Sequence, residues 1–265
     1  MIGARFWSVF HFILLIILLF WNYIANSGSL PYTMGELSAK YPTLFTPAPY
    51  AFAIWGVIYL GLIALGVYML YAAFKKDFDD DFIRKSATYL SVAYIGMTAW
   101  LWFWGNDMIL AALACMLVIL VSLILCVLRL RMELWDAPVH FMALVWWPID
   151  LLFGWICVAT VANISIYLYA IGWDGMGISA LHWTFIAIGL VIVLGLFLIA
   201  TRNMREVGAV FIWALAAIAY KQWEANPDIA YLAIGGMVTI GVYSSIHAMK
   251  NQYTLPQNKI KRGEW

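Results

Sequence analysis

Long uninterrupted apolar runs dominate this sequence and limit what it can fold into. Runs such as residues 6–24, 108–128 and 183–200 are close to the length of about 20 residues that a helix needs to cross the hydrocarbon layer of a bilayer. Hydrophobic residues make up 65% of the 265 residues and charged residues 11%, and a soluble domain could not bury that much apolar surface. The sequence therefore predicts an all-α protein, a polytopic membrane helical bundle.

The apolar runs divide the chain into about eight predicted transmembrane helices. Their approximate limits are residues 6–24, 51–74, 87–104, 108–128, 139–167, 183–200, 207–222 and 229–248. The fifth is too long to cross the membrane straight, and Pro148 inside it predicts a kink. The connection at residues 26–50 is longer than most connections, so we expect it to carry function or local structure, including a short helix at residues 35–41.

The positions of lysine and arginine predict how the helices are oriented. Of the 15 basic residues, only Lys40 and Lys221 fall on one side of the predicted membrane. Basic residues accumulate on the cytoplasmic side, so both termini are predicted to be cytoplasmic and residues 26–50 to lie outside. The net charge of +1 predicts no nucleic-acid partner, and the lipid bilayer is the expected surrounding.

An aromatic stripe begins where the first connection meets the second predicted helix. Pro47 and Pro49 hold φ near −65° and lack an amide donor, so they suit the lead-in to a helix. After them, Phe52, Trp55 and Tyr59 recur at spacings of three and four, which places three rings on one helix face. Such a stripe is typical either of an interfacial belt or of the wall of a pocket.

Two further helices carry tryptophan on one face. Trp100 and Trp104 are four residues apart in the third helix, and Trp155, Ala159 and Asn163 follow at steps of four in the fifth. Membrane tryptophans most often pack or anchor at the interface, and that interpretation stays open. The alternative is that the three stripes border a flat slot with few polar groups, which suits a planar apolar ligand.

These motifs resemble those of the tryptophan-rich sensory protein / translocator protein (TspO/MBR) family, and the chain looks like a longer bacterial member. The second helix of that family opens with prolines, an aromatic pair and a Trp-x-x-x-Tyr step, and its fifth helix carries a proline followed by Trp, Ala and Asn. The corresponding residues here are Pro47, Pro49, Tyr50, Phe52, Trp55, Tyr59, Trp100, Pro148, Trp155, Ala159 and Asn163.

Two departures from the family pattern concern the ligand contacts. The step from Phe52 to Trp55 is one residue shorter than the family spacing. In the third helix, Ala93 and Met97 stand where the family has Gln and Asn, which removes polar contacts to a ligand.

The resemblance implies a five-helix core at residues 1–168, three additional transmembrane helices at residues 169–250 and a cytoplasmic tail at residues 251–265. It also implies a tetrapyrrole or sterol-like ligand bound among the five helices under a lid from the first connection, frequent homodimers and a bacterial inner-membrane location. No cofactor is predicted beyond such a porphyrin or haem ligand. The predicted ligand-binding residues are Tyr50, Phe52, Trp55, Tyr59, Trp100, Trp104, Trp155, Ala159 and Asn163.

Asp150 is the one acidic residue placed well inside a predicted helix, and an ionisable residue there is a functional candidate by default. It lies five residues before Trp155, which is about 140° around the helix, so we do not expect it to face the slot. Three interpretations stay open for it: a structural pairing with a polar group on an added helix, a proton or ion role, and an interfacial position.

Three hypotheses about function follow. The first is a sensory or binding protein for a planar hydrophobic ligand such as a porphyrin. The second is a carrier of a small hydrophobic or ion-coupled solute, for which Asp150 is the main support. The third, a porphyrin-degrading enzyme, rests on the resemblance alone, because the sequence contains no nucleophile–base pair and no metal-ligand spacing. No catalytic residue and no metal ligand is predicted.

Overall fold

The computed structural model describes residues 3–76 and 78–265, which form helices joined by mostly short connections. The first half contains α1 (Ala4–Asn26), α2 (Met34–Lys40), α3 (Ile54–Phe74), α4 (Asp81–Gly105) and α5 (Ile109–Leu130). The second half contains α6 (Val139–Ala170), α7 (Ala180–Arg202), α8 (Arg205–Gln222), α9 (Pro227–Lys250) and the short α10 (Pro256–Lys261). The predicted helix at residues 35–41 is confirmed as α2. Thr33 and Glu36 cap its N-terminus with a reciprocal capping box.

Each predicted span corresponds to one long helix, but only some of these helices qualify as membrane spans. In the described chain, six helices are long and apolar enough to cross a membrane. They are α1, α3, α5, α6, α7 and α9, and α3 is counted together with the 3₁₀ turn Pro49–Ala53 that leads into it. The protein is thus a polytopic helical membrane protein. The count of eight is not confirmed, since α4 opens with charged residues and α8 carries charges at both ends.

An irregular turn accompanies Pro148 in α6. A π-helical segment, Met142–Trp146, lies directly before the proline. Pro148 has no amide to donate to a carbonyl one turn earlier, and its ring would clash there in a regular α-helix. The wider π turn accommodates the ring, and such segments recur at functional sites. A Cβ at Gly61 of α3 would lie 3.3 Å from Pro148 Cβ, so α3 packs closely against the proline.

Five of the helices form a closed ring. α1 packs against α3 and α4, α4 against α5, α5 against α6, and α6 against α3. The helices α7, α8 and α9 pack on one another, and α8 joins this second group to the ring through α6. Small residues allow the close approach: a Cβ at Gly154 of α6 would lie 3.1 Å from Val210 Cβ of α8. Whether residues 1–168 are a separate unit from residues 169–250 stays a prediction.

The two ends of the bundle differ in what covers them. One end is covered by residues 27–53, which include α2 and which we call the lid. We call the other the basic end, because Arg129, Arg131, Arg202 and Arg205 lie there, at the end of α5 and around the α7–α8 connection. The tail folds back onto the basic end, where buried Lys259 of α10 forms an ion pair with Asp136.

Candidate functional site

Aromatic rings of α3 and α6 meet inside the ring of helices. Trp55 stacks on Tyr59 with the ring centres 5.3 Å apart. The edge-to-face partner of Trp55 is Trp155, whose ring centre lies 6.4 Å away with an angle of 82° between the planes. Phe52 approaches Trp155 in the same manner at 6.3 Å. The stripes of the second and fifth predicted helices therefore face each other, as their spacing indicates.

The third stripe, on α4, is connected to α6 by a buried hydrogen bond. Trp100 stacks on Trp104 at 5.1 Å, and the indole Nε1 of Trp100 donates to Asn163 Oδ1 at 3.1 Å. Asn163 in turn donates from Nδ2 to the carbonyl of Ala159 at 2.8 Å. The Asn163 amide, which the sequence predicted to contact a ligand, thus already forms hydrogen bonds within the protein.

The slot between these helices is closed. A cavity of about 10 Å³ remains among Trp55, Tyr59, Trp100 and Ile156, which is room for about one water molecule. A flat slot was one of the two interpretations of the sequence; in the structure the rings fill that space themselves, because an apolar void forfeits dispersion contacts on every wall. A planar ligand can enter only if the rings of α3, α4 and α6 separate.

Tyr50 lies outside the slot. Its ring packs edge-to-face on Trp213 at 5.5 Å and on Tyr220 at 5.6 Å, both on α8. The shortened step between Phe52 and Trp55 crosses from the 3₁₀ turn Pro49–Ala53 into α3, and the rings of Tyr50 and Phe52 contact different helices. Phe52 therefore stays with Trp155, and Tyr50 belongs to the contact between the lid and α8.

Hydrogen bonds fasten the first half of the lid to the turn between α4 and α5. Lys40 forms an ion pair with Asp107, and the Tyr41 hydroxyl donates to the same carboxylate at 2.7 Å. Trp104 Nε1 donates to the Met34 carbonyl at 3.3 Å. Burial acts to raise the pKa of Asp107, but the hydrogen bonds from Lys40 and Tyr41 outweigh it and lower that pKa below its ordinary value.

The second half of the lid is fastened to α8. The Gln222 side chain donates to the Leu44 carbonyl at 2.8 Å, and Lys221 Nζ donates to the Thr46 carbonyl at 3.0 Å. Trp213 Nε1 donates to the Ala51 carbonyl at 3.0 Å. The three-helix group thus holds the lid over the ring, a role that the sequence did not indicate.

A second, open cavity lies beside the ring at the lid end. It has a volume of about 540 Å³ between α6, the start of α7 and the lid. Its walls are mostly aliphatic, and its aromatic and polar members include Thr43, Ser165, Tyr169, Trp173, Asp174 and Trp183. We call it the outer groove. Sequence reasoning missed it, although the glycine-rich connection between Trp173 and Trp183 was a visible signal.

Asp150 points to other carboxylates at the basic end and not to the slot. One carboxylate oxygen each from Asp150, Glu133 and Glu206 lie within 4.8 Å of one another. Glu133 comes from the connection between α5 and α6, and Glu206 from the first turn of α8. Burial, followed by the neighbouring Glu206, raises the pKa of Glu133 to about 8. These three oxygens are the candidate metal ligands of the described chain.

Comparison with known proteins identifies one family. A family model described as TSPO-like protein matches residues 8–246, from α1 into α9, so the match includes the ring, the lid and the three-helix group. No curated protein and no solved structure matches the chain significantly.

Proposed function

Because the chain belongs to the TSPO-like protein family, we propose that it is a membrane sensory or binding protein for a planar hydrophobic ligand such as a porphyrin. The ligand lies between α3, α4 and α6, against Trp55, Trp100 and Trp155. The observation that carries the proposal is that Trp55 and Trp100 line the same small cavity, while Trp55 also contacts Trp155 and the Trp100 indole donates to Asn163.

Binding requires the slot to open, which separates the ring pairs of α3, α4 and α6. The stacked and edge-to-face ring pairs contribute about 0.5–1.5 kcal/mol each beyond their buried area. A porphyrin replaces these contacts with its own two faces, and micromolar binding corresponds to about 8 kcal/mol. Ala159 supplies the small side chain beside Trp155, so the ligand edge can approach the α6 backbone there.

We also propose that all eight long helices cross the membrane with both termini in the cytoplasm of a bacterium. The distribution of lysine and arginine supports this arrangement, since it leaves only Lys40 and Lys221 on the outer side. The lid then faces outward and the Glu133–Asp150–Glu206 cluster faces the cytoplasmic half of the bundle.

Titration of the purified protein with protoporphyrin, followed by tryptophan quenching, tests the proposed slot. We expect Ala159→Leu to weaken binding by about tenfold or more, because a filled gap costs about 1–3 kcal/mol. Trp155→Phe, which shrinks the ring, should weaken it by roughly two- to tenfold, because an aromatic contact is worth about 0.5–1.5 kcal/mol. Trp102→Phe is the matched control, since Trp102 is exposed on the outside of α4. Unchanged affinity in both slot variants would contradict ligand binding in the slot. A loss of affinity in Trp183→Phe alone would indicate that the ligand binds in the outer groove.

A carrier is the second candidate function, and the buried Asp150 favours it. This residue is fully enclosed in the bundle, next to Glu133 and Glu206, and buried acids recur in ion-coupled transporters. Uptake of porphyrin or of protons into proteoliposomes is the test. A carrier coupled through Asp150 loses uptake in Asp150→Asn, whereas uptake that survives this substitution contradicts the coupling.

A further inference from the structure

The three clustered carboxylates come from separate parts of the chain that the fold brings together. Asp150 lies on α6 a few residues after the π-helical segment, Glu133 on the preceding connection and Glu206 at the start of α8. Their oxygens lie within 4.8 Å of one another. Oxygens bound to one Ca²⁺ ion at 2.3–2.6 Å are at most about 5 Å apart, so the present spacing fits a shared ion without rearrangement.

Asp150 provides an independent observation that points to a ligand. Its side chain has no exposed surface, and neither carboxylate oxygen has a hydrogen-bond partner. Glu133 Oε1 is also buried without a partner. A buried ionised carboxylate without a compensating group is costly, so the empty cluster retains protons, and a cation bound where the three side chains meet would displace them.

The neighbouring basic side chains do not supply that charge by direct contact. Within residues 3–76 and 78–265, no lysine or arginine nitrogen forms an ion pair with any of the three carboxylates. Lys259 is paired with Asp136 and Glu264, and Arg205 donates to the Thr254 hydroxyl at 3.1 Å. Arg205 and Lys259 still act on Glu133 electrostatically, and Arg205 also acts on Glu206, but neither cation contacts the three side chains.

The chemistry of the donors selects the kind of ion. Carboxylate oxygens suit hard cations such as Ca²⁺, Mg²⁺ and Mn²⁺, and no thiolate or imidazole belongs to the set. Asn203 donates from Nδ2 to Glu133 Oε2 at 3.1 Å, which orients the glutamate as a partner of a metal ligand does. The Asn203 Oδ1 atom is buried without a partner in the described structure and adds a further oxygen beside the cluster.

We propose that Glu133, Asp150 and Glu206 bind one hard divalent cation at the basic end. The ion connects the five-helix ring to the three-helix group, because two of its ligands belong to α6 and the connection before it, and the third belongs to α8. This inference does not depend on the ligand proposed for the slot.

Binding of Mn²⁺ to the full-length purified protein tests the proposal. After treatment with a chelator, electron paramagnetic resonance should count one tightly bound Mn²⁺ per chain at high salt, displaced by Ca²⁺ or Mg²⁺. Thermal unfolding should shift upward by several degrees when the cation is added, since an ion that binds only the folded state stabilises it.

Three variants and a control locate the site. We expect Mn²⁺ binding to weaken by at least about tenfold in each of Asp150→Asn, Glu133→Gln and Glu206→Gln. Replacing even a residue that only hydrogen-bonds to a metal ligand lowers metal affinity by about tenfold or more. Glu224→Gln removes an exposed carboxylate and should leave binding unchanged. Failure to bind Mn²⁺ at millimolar concentration overturns the proposal. It is equally overturned if Glu133→Gln and Glu206→Gln, folded as judged by circular dichroism, bind Mn²⁺ normally, or if the cation shift persists in Asp150→Asn.

Discussion

At the scale of single residues, the polar and aromatic side chains of the slot stabilise its closed form. Asn163 satisfies the Trp100 indole, and Trp55 covers Trp155. Sequence spacing predicted which of these side chains share a face, because helical periodicity is local. Tyr50 was added to them by the family resemblance, and its ring packs on Trp213 and Tyr220 of α8, more than 160 residues along the chain.

Replacing Asn163 tests the closed slot at this scale. Asn163→Leu introduces an apolar side chain of similar size. It leaves the buried Trp100 N–H without an acceptor, which costs about 1–3 kcal/mol. We expect a matching loss in the free energy of unfolding, measured in detergent. The control is Thr239→Val, because the Thr239 hydroxyl is exposed and bonds only within α9. Equal stability of the Asn163 variant and the wild type would show that the hydrogen bond is not formed.

At the scale of elements, the helices were predicted within a few residues and their irregularities were not. α4 begins at Asp81, before the predicted span start at residue 87, and ion pairs of Asp80 with Arg84 and of Asp81 with Lys85 support its first turns. In α6, proline chemistry predicted a perturbation but not its form as a π-helical segment. The lid was recognised by its length, whereas its anchors on α8 depend on tertiary contacts that no local pattern reveals.

The ion pair between Lys40 and Asp107, which we call the latch, makes the lid sensitive to acid. The pKa of Asp107 is lowered from its ordinary value of 3.8 while the lid is closed, so its stabilising effect is complete above that value and is lost as the pH falls below it. A spin label at Ala39→Cys should be restrained at pH 7 and become mobile only as the pH falls well below 3.8. Asp107→Asn should mobilise the label at pH 7, and Asp228→Asn should not. A label that stays equally restrained in Asp107→Asn contradicts the latch.

The anchors on α8 should control how fast a ligand enters and leaves. The double variant Lys221→Met/Gln222→Leu removes two hydrogen bonds to lid carbonyls, worth about 0.5–1.5 kcal/mol each. We expect porphyrin association and dissociation to accelerate by roughly tenfold with little change in affinity, measured by stopped-flow quenching. Thr201→Val on the exposed face of α7 is the control. Rates equal to those of the wild type would mean that the lid does not gate the slot.

At the scale of the whole molecule, the three-helix group acts on the five-helix ring at both ends. α8 holds the lid at one end and contributes Glu206 to the carboxylate cluster at the other. Sequence reasoning recognised Asp150 as unusual because its position inside a helix was visible. It did not find Glu133 and Glu206, which resemble ordinary charges at the ends of helices until the packing of α6 against α8 brings them together.

The central claim is that a planar ligand binds within the ring and not in the outer groove. A bound porphyrin that is illuminated in air oxidises the side chains next to it, so mass spectrometry of the tryptophans measures its position directly. The account predicts early oxidation of Trp55, Trp100 and Trp155, suppressed by Ala159→Leu. Oxidation confined to Trp173 and Trp183 of the outer groove, with the slot tryptophans intact, would contradict it.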